Sequence, residues 1–199
     1  MSGHTRGQRP RSGSIVLGIV RLARGRADGF QQFAATREAF LASLAPLVAF
    51  PLVGGALMVL GGGGLTALSD LLATICALVA PPVLSFEIAR LWGRQQSWLR
   101  FATAFNWCQW AIPVLGSALL LLLAVLIVLG LPRSLARALV VLGLVSYGLW
   151  LHWFLARHGL GLSRLRALLL VLGVNLVTVM IVMGPRVLEF GAGGGLDGK

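Results

Sequence analysis

The chain has 199 residues, of which 57% are hydrophobic and 12% charged, with a mean hydropathy of +0.88. Soluble domains carry about 25% charged residues, so this composition excludes an ordinary water-facing globule. The net charge is +11, and arginine supplies all but one of the 17 basic residues. No RNA- or DNA-binding motif accompanies that charge, so it points to membrane topology and not to nucleic acid.

Residues 1–38 read as a basic cytoplasmic tail with amphipathic, interfacial segments. Residues 1–13, rich in Arg, Gly and Ser, are expected to be disordered. From Ser14 to Arg24, Ile15, Ile19 and Leu22 recur at helical spacing beside Arg21 and Arg24. Phe30, Phe33, Arg37 and Phe40 repeat at spacings of three and four, which predicts a second amphipathic segment. Basic residues with aromatic anchors suit an anionic inner leaflet. No short apolar region ending in a small-residue cleavage site is present, so no secretory signal is expected.

Apolar, charge-free stretches follow at 39–69, 71–86, 101–132, 138–156 and 167–185. A bilayer core of about 30 Å takes roughly 20 apolar helical residues. The reading is therefore an all-α, polytopic membrane protein with a transmembrane domain over 39–186 and five helices near 40–60, 66–88, 106–131, 137–156 and 166–185. Pro46 and Pro51 kink the first span, and the glycines at 61–64 form a short turn after it. Pro81 and Pro82 break the second span near its end, as a packing kink, a hinge or a lined cavity. Glu87 follows. It pairs with Arg90 at i, i+3 or, with Arg94 nearby, holds a cation or proton. The third span opens on Asn106, Trp107, Gln109 and Trp110, then Pro113. Asn106 and Gln109 share a face and seek partners on other helices. His152 lies between Trp150 and Trp153 in the fourth span and reads as an interfacial residue. Asn175, with Thr178 three residues on, stands mid-span in the fifth, as interhelical glue or as part of a polar path. Glycines in the spans, Gly54, Gly55, Gly116, Gly143 and Gly173, permit close helix contact. Residues 187–199 read as a disordered, glycine-rich tail.

The basic residues assign sides. With the N-terminus inside, 13 of the 17 fall in cytoplasmic segments, and only Arg133, Arg137, Arg186 and Lys199 fall outside. Cytoplasmic loops collect Lys and Arg, so the orientation is N-in, C-out. All six tryptophans, at 92, 98, 107, 110, 150 and 153, then fall at the inner face: Trp92, Trp98, Trp107, Trp110, Trp150 and Trp153 read as interfacial anchors.

Chemistry is sparse. No GxSxG, HExxH or P-loop pattern occurs, and no intramembrane carboxylate pair exists. Cys76 and Cys108 lie on different helices at different depths and read as small buried hydrophobes. No cofactor, metal site or enzymatic activity is expected; an enzyme on lipids would need Glu87, Arg90, Arg94 and His152 to converge. The composition, heavy in Arg, Ala and Leu and poor in Lys, points to a GC-rich bacterium and hence a bacterial inner membrane. The layout, a basic N-terminal region followed by five closely spaced spans over about residues 35–185, resembles the Yip1-type membrane proteins. That resemblance implies a role in membrane organisation and carries over no residues. The expected function is a non-catalytic scaffold or accessory subunit of a larger membrane complex or homo-oligomer. The alternative is a small transporter or channel subunit with Pro81, Pro82, Glu87, Asn106, Gln109 and Asn175 lining a path.

Overall fold

The computed structural model describes the backbone of residues 14–193 and the side chains of residues 14–184. Every regular element among them is helical. Helix α1, Ile15–Ala23, starts where the Ser14 hydroxyl accepts the Leu17 N–H at 3.3 Å. A short 3₁₀ helix, Ala27–Gln32, folds back along it. Asp28 holds this reversal by pairing with Arg21 at 3.2 Å and Arg26 at 3.0 Å. Gly18 and Gly29 let the two pieces meet: a Cβ at Gly18 would lie 2.6 Å from the Phe33 ring. One side of the expected amphipathic segments is thus packed onto the protein. Leu22, Phe30 and Phe33 are buried, and the Tyr147 hydroxyl donates to the Ala23 carbonyl at 2.9 Å, while Ile15, Val16, Leu17 and Val20 of α1 stay exposed.

Helix α2, Arg37–Met58, is capped by Thr36, whose hydroxyl accepts the Ala39 N–H at 3.2 Å. It runs through Pro46 and Pro51 into a π turn at Val59–Gly63, and α3 follows at Gly64–Leu91. Gly62 at φ 95° and Gly64 at φ 56°, ψ −146° take conformations that a Cβ opposes. The chain reverses there, and Gly55 of α2 packs under Leu71 of α3. Helix α4, Gln95–Cys108, is followed by α5, Ala111–Val128, then α6, Arg133–Gly159, and α7, Arg164–Gly193.

Four helical runs are long and apolar enough to cross a membrane: Arg37–Leu91, Gln95–Val128, Arg133–Gly159 and Arg164–Gly184. The first has 55 residues and contains the α2–α3 reversal. The third expected span, 106–131, differs most from its prediction. The helix there starts at Gln95 and is interrupted at Gln109–Trp110, because Pro113 offers no N–H to the Gln109 carbonyl. The backbone of helix α7 continues to Gly193, into the stretch expected to be disordered. Residues 1–13 and 194–199, both expected to be disordered, lie outside the described residues.

The core lies at one end. Leu22, Phe30 and Phe33 meet Ala89 of α3, Phe101, Ala104 and Cys108 of α4, Leu151 and Leu155 of α6, and Ala167 and Leu170 of α7. Helix α4 lies in the middle, touching α1, α2, α3 and α6. Towards the other end the packing loosens. Helix α5 runs along α6 and makes no close backbone approach to α2 or α3. Gly143, Gly173 and Gly54 accordingly have no neighbour within 4 Å of a Cβ, contrary to the close contacts expected of them, whereas Gly116 meets Leu144 at 3.7 Å. Cys76 is exposed on α3 and Cys108 buried in α4, so only the second is the buried hydrophobe that was expected.

Candidate functional site

Above the core, five helical segments surround a cleft of about 220 Å³. Helix α2 contributes Leu47, and α3 contributes Ala77, Leu78, Pro81 and Pro82. Helix α4 and the turn after it supply Phe105, Asn106 and Gln109; α6 supplies His152; α7 supplies Val174, Asn175 and Thr178. A small void of about 20 Å³ adjoins it towards the core, sharing Pro81, Phe105, His152, Val174 and Asn175 and adding Ser85 and Phe101. That is room for one water.

The hydrogen bonds around the cleft run in one direction. The Ser43 hydroxyl donates to the Phe40 carbonyl at 2.6 Å, so its oxygen is free to accept the Asn106 Nδ2–H at 3.0 Å. Asn175 Nδ2 donates back to the Val171 carbonyl at 2.8 Å. Gln109 Nε2 meets His152 Nε2 at 3.3 Å; the amide nitrogen can only donate, so the imidazole nitrogen accepts. The Thr178 hydroxyl donates to the Val174 carbonyl at 2.8 Å. Each of the three amides spends one of its two N–H groups on a protein partner, and its oxygen has no hydrogen bond to protein among the described residues.

Pro81, Pro82, Asn106, Gln109 and Asn175, selected from the sequence, therefore share one cleft. Glu87, Arg90 and Arg94 do not join them. Glu87 and Arg90 form an i, i+3 ion pair at 2.7 Å with both side chains about half exposed, and Arg94 lies by Gly161 in the α6–α7 turn. They lie one to three helical turns beyond Pro82, where α3 has left the cleft for the basic end. His152 is bonded to Gln109 instead, so the four residues needed for a lipid enzyme do not form one cluster. Sequence reasoning missed His152 as a lining residue because two tryptophans flank it. Thr178 was legible only as a neighbour of Asn175.

The tryptophans make protein contacts. Trp98 donates to Ser85 Oγ at 3.1 Å and packs between Phe40 and Phe86, with ring centroids at 5.2 and 5.0 Å. Trp92 lies under the Arg166 guanidinium at 5.8 Å, and Trp153 under that of Arg157 at 5.3 Å. Trp150 stacks on Phe154 at 5.5 Å, Trp107 packs against the core, and Trp110 meets Phe50 edge-on at 5.5 Å. Trp92, Trp98 and Trp110 thus join separate elements, since indole offers both an apolar face and a donor, whereas the Trp150–Phe154 and Trp153–Arg157 contacts lie within α6. The Trp110 Nε1–H is the one buried side-chain polar atom without a partner among the described residues. Among those residues no group of three or more His, Cys, Asp or Glu could hold a metal ion. No protein family, curated protein or solved structure matches this chain.

Proposed function

We propose that this is a five-span protein of a bacterial inner membrane, N-in and C-out, that binds a small solute in the cleft and acts as a small transporter or channel subunit. The observation that carries the reading is the convergence of Asn106, Gln109, His152 and Asn175 from three helices on one 220 Å³ space beside the paired prolines. Polar side chains within membrane helices are costly and mark solute pathways. Discontinuous helices mark binding sites in transporters. The threading rests on arginine placement: Arg21, Arg24, Arg26, Arg37, Arg90, Arg94, Arg100, Arg157, Arg164 and Arg166 all belong to segments that meet at the packed end. That end would face the cytoplasm and the anionic inner leaflet.

The scaffold or accessory-subunit reading keeps one observation in its favour, which is the uncovered apolar surface of α5 and of the α2–α3 hairpin. Lipid covers such a surface as well as a partner does, so the cleft supports the solute-binding reading more. The layout shared with Yip1-type proteins belongs to this second reading.

Substituted-cysteine labelling tests the proposal. In a Cys76→Ala, Cys108→Ala background, Thr178→Cys is expected to react with a charged, membrane-impermeant thiol reagent in intact membranes. Leu172→Cys, on the exposed apolar side of α7, is expected to stay unreactive in lipid. Equal protection of both would contradict a water-reached path, and co-purification of a defined larger complex would then favour the scaffold.

A further inference from the structure

A helical carbonyl bonds the N–H four residues on, and proline has none. Pro51 therefore leaves the Leu47 carbonyl without its helical donor, Pro81 does the same to Ala77, and Pro82 to Leu78. Leu47, Ala77 and Leu78 all line the cleft. Prolines on two different helices thus release carbonyls from residues around one space. The side chains add to this. One N–H of each of Asn106, Gln109 and Asn175 is engaged, by Ser43, His152 and the Val171 carbonyl, which leaves three amide oxygens beside the second N–H of each amide. Of the acidic residues Asp28, Glu38, Asp70 and Glu87, none lines the cleft. The site is rich in acceptors and has no negative charge.

We infer that the cleft binds a singly charged cation, held by amide and backbone carbonyl oxygens; this rests on the solute-binding reading above and names the class of solute. Carbonyl oxygens freed from a helical ladder need a donor, water or a cation. Rings of neutral oxygens replace the hydration shell of monovalent ions in channels, and unwound carbonyls hold them in transporters. A divalent ion would call for carboxylates, and an anion would call for Arg or Lys, neither of which lines the cleft. The 220 Å³ space exceeds a bare ion. It admits an inorganic ion with part of its water, or a small alkylammonium against the Phe105 ring.

The test uses the purified full chain in detergent at fixed ionic strength, with N-methylglucamine replaced by sodium, potassium or ethylammonium. At least one of these is expected to raise the unfolding temperature, by about 5 °C near 100 times its Kd. The rise should vanish in Gln109→Leu and Asn175→Leu and persist in Glu87→Gln. A response to sodium or potassium identifies an inorganic ion; a response to ethylammonium alone identifies an organic one. Should the leucine variants fail to fold, protection of Thr178→Cys from labelling by the same cation supplies the second readout. No rise with any cation, or a rise that survives both leucine variants, overturns the assignment. Labelling of Thr178→Cys without any cation effect would sink the cation and leave the water-filled path standing; no labelling at all would sink both.

Discussion

The Asn106–Ser43 bond is the tightest-buried polar pairing among the described residues: Ser43 is 0% and Asn106 2% exposed, on helices far apart in sequence. Ser43→Ala removes the one acceptor that the Asn106 amide has among the described residues and is expected to cost about 1–3 kcal/mol, the penalty for stranding a buried donor. Thr74→Ala, whose hydroxyl bonds its own exposed helix, should change the unfolding temperature little; equal effects would contradict the pairing. Two glycines make a matching pair. A Cβ at Gly159 would lie 2.9 Å from both the Phe30 and the Phe101 rings, whereas one at Gly143 meets nothing within 4 Å. Gly159→Ala should therefore destabilise by about 1–3 kcal/mol through overpacking. Gly143→Ala should be neutral or stabilising by up to about 1 kcal/mol through helix propensity. Thermal unfolding of the two variants in one detergent measures the difference, and its reversal would show that the packed end is misplaced.

Among the elements, the α2–α3 hairpin depends most on its turn. Gly62 and Gly64 hold backbone angles that L-residues oppose, so Gly62→Ala and Gly64→Ala should each cost about 1–2 kcal/mol. Gly61→Ala, whose added Cβ would meet nothing and whose φ is not positive, should cost less; equal losses at all three would argue against a reversal centred there. The helical runs and this turn were legible in the sequence because apolar length and glycine clustering are local signals. So were Pro81, Pro82, Asn106, Gln109 and Asn175, which stand out against apolar neighbours. Helix α4 was not legible. Its start, with Gln95, Gln96 and Arg100, reads as a loop, and only contacts with α2 and α6 make it the buried centre. Leu47, Ala77 and Leu78 gave no sign either, since their side chains are ordinary and the carbonyls that matter are set by prolines one turn on. Glu87 was chosen for its rarity as an acid, yet its partner Arg90 on the same helix satisfies it locally.

At the scale of the whole molecule, one end is closed by a continuous core and carries most of the arginines, and the other is open and apolar. The cleft lies directly above the closed end, bounded by Phe101 and Phe105. A path that is open on one side and sealed on the other has meaning only if the closed end faces the cytoplasm and the 55-residue run crosses the bilayer twice. The decisive measurement is therefore the activity of a reporter that works only outside the membrane, fused in turn within residues 61–64, at Gly93 and after Lys199. Activity at the first and last positions and silence at Gly93 is the result expected of five spans with the basic end inside. Activity at Gly93, or silence within 61–64, would contradict the threading and with it the sidedness of the cleft.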